Sequence, residues 1–399
     1  MGVYEQLGVR TLLNASGTLT RLGGSLMPRE VVEAMAEAAR GYVRLEELQE
    51  AAGREIARVT GAEAGYVTNG AAGGLLLATA ACVARLDVSA MDRLPDTTGL
   101  RNEVVMQRAH RNCYDHAIRA AGVRIVDVGF PGQGGTRPWQ IEAALSERTA
   151  AVAHVVGEGP GSLPLAEVVR LAHRHEVPVI VDAAVALPPA ENLRLFIAEG
   201  ADLVVFSGGK ALRGPQASGI LAGRHDLVES AALQHLDMSV HAATWDYGQR
   251  YLDSGLLVGL PHHGLGRVCK VGKEEIVGLV TALRLYERRD HRADQEQWRR
   301  QAEYLVSELK DLPHVRLELL TPTAKPLPQV QMFLDEAALG FGAADVVRRL
   351  MAGEPRVAVG EDLLERGAIV LKVFSLEYGE ERQVARLLRR ALLGETQSD

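Results

Sequence analysis

A chain of 399 residues, 47% hydrophobic and 24% charged, is long enough to bury a large core and to divide into two domains. Its formal net charge of −7 argues against nucleic acid as a partner, since nucleic-acid-binding domains are usually basic. Three cysteines, Cys82, Cys113 and Cys269, form no CxxC pair, which disfavours a disulfide framework or a structural zinc site and fits a reducing compartment. The opening MGVYEQLGVR has no basic stretch followed by an apolar one, so no signal peptide and no membrane partner is read, and a cytoplasmic location is expected.

The middle of the chain alternates two textures. AGYVTN (64–69) reads as a strand, and GAAGGLLLATAACVARL (70–86) as a helix opening on small residues. EVVMQ (103–107) is a strand and YDHAIRAAG (114–122) a helix with a glycine stop. VRIVDVG (123–129), AVAHVVG (151–157), VPVIVDAA (177–184) and ADLVVFSG (201–208) are short runs rich in Val and Ile, the pattern of strands buried on both faces. LAEVVRLAHRHE and ENLRLFIAEG, between them, have helical spacing. The alternation predicts a mostly parallel α/β sheet with helices on both sides.

From about residue 275 a long charged helix is expected, followed by VRLELL, QVQMFL, RVAVGE and AIVLKVF alternating with the helices AADVVRRLM and ERQVARLLRRALL, a smaller α+β unit. The expected division is 1–45 as a segment packing with the small domain or a partner subunit, 46–285 as the large domain, and 286–399 as the small one.

In an open α/β sheet, ligands gather at the carboxyl ends of the strands. Three candidates fall there. Gly70, Ala71 and Ala72 open a helix whose free amides and dipole favour a phosphate, although a tightly packed helix start reads the same way. Asp182 ends a very apolar strand, where a carboxylate is costly unless it is paired; a helix cap, a buried ion pair or a partner for a positively charged ring nitrogen all fit. Lys210 follows another strand and is framed by Gly208, Gly209 and Gly214-Pro215, with Ser207 able to bond a phosphate. A surface lysine needs no such frame. A phosphate cup, then an aspartate, then a lysine describes pyridoxal 5′-phosphate held as a Schiff base.

The order and motifs resemble fold-type I pyridoxal-phosphate enzymes (the aspartate aminotransferase fold), and within them the group that includes the selenocysteine synthase SelA and D-glucosaminate-6-phosphate ammonia-lyase. LNASGT (13–18), TNGAAGGLLLA (68–78), HRNCYDHAI (110–118), VDAAVALPPAENL (181–193), GADLVVFSGGKALRGPQASG (200–219) and GRVCKVGKEEIVGL (266–279) carry the resemblance. It implies Lys210 as the Schiff-base lysine and proton shuttle, and Asp182 on the pyridine nitrogen. Gly70, Ala71, Ala72 and Ser207 would hold the phosphate, and His110 would stack on the ring. Asn14, Gly17 and Thr18 would line the substrate mouth, and the basic cluster Arg267, Lys270 and Lys273 would meet an anionic substrate group or a neighbouring subunit's cofactor phosphate, or form a solvated face. Gly360 falls where a carboxylate-binding arginine is expected, leaving Arg356 or Arg21 as substitutes. His116, His154 and the pair His262-His263 show no metal-ligand spacing and are read as structural or partner-facing; no metal is expected. SelA's tRNA-binding extension is expected to be lacking.

The implied activity is that of a lyase removing a β-hydroxyl and the amine from a β-hydroxy amino acid or amino sugar acid, giving a 2-keto acid and ammonia. A racemase or epimerase, an aminotransferase and a selenium-transferase-like enzyme without the tRNA module are the rivals, with a binding protein that kept the fold and lost the chemistry behind them. A homodimer or higher homo-oligomer is implied. A dinucleotide or P-loop site has no GxGxxG or GxxxxGK[ST] to support it.

Overall fold

The computed structural model describes residues 2–157, 159, 161–322 and 326–393. Two compact bodies share the chain: residues 27–288 form the larger, and residues up to 26 together with those from 289 onward form the smaller. The strands in chain order are β1 (Leu12–Ala15), β2 (Ala64–Thr68), β3 (Glu103–Gln107), β4 (Arg124–Val128), β5 (Thr149–Val155), β6 (Val179–Asp182), β7 (Leu203–Ser207), β8 (Gly219–Gly223), β9 (Val315–Leu320), β10 (Gln329–Leu334), β11 (Arg356–Val359) and β12 (Ala368–Lys372).

In the larger body seven strands lie in the order β2-β8-β7-β6-β5-β3-β4. β8 runs antiparallel to both its neighbours and the other pairings are parallel. Successive residues face opposite layers. Val105, Val152, Val181 and Val204 pack into one cluster with Ile276 and Leu279. Val104, Ala153, Ile180 and Val205 pack into the other with Leu77 and Leu227. Burial on both faces explains the unbroken Val/Ile runs.

β8 is the strand of this sheet that the sequence hid. Its GILAG has low strand propensity, yet packing demands the glycines. A Cβ on Gly219 would stand 2.6 Å from the carbonyl carbon of Gly70, and one on Gly223 would stand 2.0 Å from the Asp202 carbonyl oxygen. The helix Arg29–Ala38 belongs to the larger body, where Gly278 on the helix Lys273–Arg288 admits Met35.

In the smaller body β10 sits antiparallel between β9 and β12, and β1 pairs in parallel with β11. Leu305, Val330, Met332, Ile369 and Leu388 centre its core. The single long helix expected after residue 275 is two, Lys273–Arg288 and His291–Leu309. Asp290 makes the break, because its carboxylate accepts from the amides of Arg292 and Ala293 and so caps a new helix instead of continuing the old one.

Candidate active site

The sheet gathers its candidates along one edge. β2 and β7 both run antiparallel to β8, so they point the same way, and their last residues share a level: Thr68 is opposite Gly219, which is opposite Ser207. One strand further on, Asp182 of β6 lies beside Val205 and, on its other side, beside Val155 of β5. Gly70, Ser207, Asp182 and the turn carrying Lys210 thus leave the carboxyl ends of three parallel-running strands.

Gly70 has φ +113° and caps the helix Ala71–Ala84, and no side chain among the described residues caps its first turn. A Cβ built on it meets nothing within 4 Å. Space and unsatisfied N–H groups coincide there, which is what a phosphate oxygen requires.

The turn after β7 is held from both sides. Gly208 N–H donates to the Ser218 carbonyl at 2.8 Å and Gly214 N–H to the Gly208 carbonyl at 2.9 Å. Gly208 and Gly209 serve close approach. A Cβ on Gly208 would lie 2.1 Å from Ser218 Oγ, and one on Gly209 would lie 2.7 Å from Gln216 Cα. Arg213, not a glycine, takes the left-handed backbone, at φ 58°.

Lys210 and Asp182 lie close enough to influence each other. Burial lowers the Lys210 amine below its ordinary range, opposed by the charge of Asp182. Burial raises the Asp182 carboxyl, opposed by the N–H of Ala184 (3.0 Å) and by Lys210. Each group is therefore biased toward its neutral form. His110 follows β3 and accepts the Val155 N–H at Nδ1 (3.2 Å), and its Nε2 is buried with no hydrogen-bond partner among the described residues. A recess lined by Met106, Asn112, Tyr114, His154, Ile180 and Asp182 opens beside it.

Elsewhere the structure distributes the candidates differently. Arg267 turns its guanidinium to Asp237 at 3.0 Å, and Lys273 bonds Glu274. Asn14 and Thr18 lie in the smaller body, where Asn14 is bound up in its own loop, donating to the Gly17 carbonyl and accepting from Ser16. Arg356 pairs in register with Leu12, at the opposite end of β1 from that loop. Arg21 bonds Glu361 at 2.5 Å. At Gly360 a Cβ would stand 3.0 Å from the Val370 carbonyl, which accounts for the glycine. Sequence reasoning passed over Lys372. Its stem runs beside Gly17 and Gly360, 3.2 and 3.5 Å from where their Cβ atoms would be, and it bonds Asp362 at 2.5 Å. It also set aside His154, which stands against His110. His262 pairs with Asp92 at 2.6 Å and His116 with Arg119 at 3.2 Å.

An open glycine-capped helix start, a half-buried carboxylate and a desolvated amine on one sheet edge fit pyridoxal 5′-phosphate, and the fold is that of the fold-type I enzymes that use it. Residues 12–241 match the model of the family described as SelA, L-seryl-tRNA selenium transferase, and the chain belongs to that family. It is a pyridoxal-phosphate-dependent enzyme, as the motifs led us to expect. It is 32% identical over 395 residues to the D-glucosaminate-6-phosphate ammonia lyase of Salmonella typhimurium, with 97% of each chain covered. It is 33% identical over 402 residues to a 5′-C-glycyluridine monooxygenase-decarboxylase from a Streptomyces species, covering 98% of this chain and 92% of that one. A solved structure of a D-glucosaminate-6-phosphate ammonia-lyase superposes with a TM-score of 0.81 at 30% identity, covering 99% of both chains.

Proposed function

We propose that the enzyme removes the β-hydroxyl as water from a small β-hydroxy amino acid, with a 2-amino sugar acid as the favoured class, and that hydrolysis of the resulting enamine releases ammonia and leaves a 2-keto acid. The reading is carried by a desolvated amine beside a desolvated carboxylate at one sheet edge, in a chain similar from end to end to an ammonia lyase.

Pyridoxal 5′-phosphate, when bound, supplies an electron sink for the charge left at a deprotonated substrate carbon. Asp182 would hold the positive ring nitrogen, and a cation there compensates a carboxylate that is otherwise costly to bury. The amides opening the helix at Gly70, Ala71 and Ala72, with the Ser207 hydroxyl, would hold the phosphate. His110 would lie over the ring. Lys210 is biased toward its neutral amine, the form that takes the α-proton; the ammonium so made can pass a proton to the departing β-hydroxyl, which leaves as water. One water is lost at that step and one is regained when the released enamine, as its imine tautomer, is hydrolysed. The net products are ammonium and a keto acid of the same carbon skeleton. On the larger body, Arg267 would meet an anionic group of the substrate in exchange for Asp237.

Incubation with D- and L-β-hydroxy amino acids and phosphorylated 2-amino sugar acids tests this. Equimolar ammonia and keto acid, with no second substrate, is the expected result. Solvent deuterium at the α-carbon without keto acid indicates a racemase, and dependence on added keto acid indicates an aminotransferase. A second reading rests on the monooxygenase-decarboxylase likeness, since that relative is as similar as the first. Oxygen consumption with carbon dioxide release, abolished under anaerobic conditions, would favour it. We place the enzyme in the cytoplasm as a homodimer or larger assembly, a state that light scattering checks.

A further inference from the structure

Two imidazoles meet at this edge in an arrangement that the roles above leave unused. His110 follows β3, and His154 lies in β5, the strand next to it. Their ring centroids are 4.5 Å apart and their planes cross at 83°, edge to face. Both rings are buried, at 2% and 3% exposure.

The backbone determines which nitrogen of His110 carries hydrogen. Val155 N–H points at Nδ1, and a ring nitrogen that accepts a hydrogen bond cannot also hold a proton. The hydrogen of the neutral ring is therefore on Nε2. That atom is sealed from solvent and meets no partner among the described residues. A buried donor aimed at nothing implies a missing acceptor.

The charged form has little to support it. The recess beside the pair is lined by Tyr114, Asp115 and Asp182 as its titratable groups besides His154, with Lys210 close to Asp182. Asp115 is committed to Arg111, which also bonds Asp127 at 2.6 Å. Burial holds His110 down to about 4 and, with the neighbouring ring, His154 down to about 3.

We propose that His110 works as an uncharged, single-tautomer donor, offering Nε2–H to an oxygen acceptor of the bound small molecule, and that His154 is the positioning residue that holds its ring edge-on. The donor role rests on reading this edge as the cofactor site. His110 is then not the base, and proton removal is left to Lys210.

Nitrogen-15 NMR of histidine-labelled full-length protein tests this, with His110→Gln identifying the signal. In the cofactor-free protein His110 is expected as the Nε2–H tautomer alone, without protonation between pH 8.5 and 5.5. His154→Ala should let the second tautomer appear and raise the apparent pKa by at least one unit, whereas His154→Phe, which keeps an edge-to-face ring, should preserve the single form. An Nδ1–H signal, an ordinary titration near 6.5 in the unaltered protein, or no response to His154→Ala overturns the positioning claim. Adding pyridoxal 5′-phosphate, then an amino acid, should move the Nε2 proton downfield at one of the two steps. The step that moves it says whether cofactor or substrate supplies the oxygen, and no movement at either overturns the donor role. Visible absorbance of the loaded protein reports separately on the cofactor: its absence sinks that reading, while the tautomer is decided on the empty protein.

Discussion

On the smaller body three cations each have a carboxylate at hand: Arg10 on Glu354 at 2.8 Å, Arg21 on Glu361 and Lys372 on Asp362 at 2.5 Å each. At the sheet edge of the larger body charge is handled the other way. Lys210 and Asp182 are pushed toward neutrality, and His110 keeps a buried nitrogen without a partner among the described residues. Exposed pairs such as the first three contribute little stability and ask for nothing further. Buried polar groups left short of partners are costly in the empty protein and become favourable when a ligand completes them. The contrast separates a surface that is finished from an edge that is waiting.

Substitutions should break or sharpen this contrast in graded fashion. Lys210→Ala removes the proposed base and is expected to lower turnover by about 10³-fold or more, within the range for a lost general base, with the circular dichroism spectrum unchanged. Asp182→Asn should cost about 10²–10³-fold in turnover, comparable to the loss of one preorganised electrostatic partner, and shift the visible absorbance of the bound cofactor. Gly70→Val forces a side chain onto a backbone at φ +113°, a strain of about 1–3 kcal/mol, and should weaken cofactor binding about tenfold in a titration. Acid offers a fourth test. His110 and His154 sit at about 4 and about 3 in the folded chain, below the usual 6.5, so the unfolded chain takes up protons first as pH falls. Their contribution is complete above pH 6.5 and is lost as pH drops from there toward 4 and below. Urea titrations of the cofactor-free protein at pH 7.5 and 5 should show this loss, and His110→Phe should shrink it. The smallest effect belongs to the finished surface: Arg21→Gln, at a side chain 60% exposed, should change stability by less than about 1 kcal/mol.

Much of the larger body was legible because strands buried on two faces write themselves as Val and Ile runs; β3, β5, β6 and β7 fall within two residues of where the pattern puts them. Asp182 and Lys210 were legible for the same reason, as charged residues just past such runs. β8 was not, since its glycines answer to Gly70 and Asp202, neighbours remote in sequence. The helix break at Asp290 was hidden inside a stretch that is charged on both sides, where one more acidic residue carries no local mark. The partnership of His110 with His154 depends on β3 and β5 being adjacent, which no spacing along the chain reveals.

The loop 208–218 leaves β7 and returns as β8, and its ends are laced to each other across the hairpin. A chromophore attached to Lys210 would thus be fastened to the sheet's framework as a gem is to its setting. Its optical activity would follow the melting of that hairpin alone, giving the enzyme a built-in gauge that distinguishes loosening of this corner from unravelling of the rest.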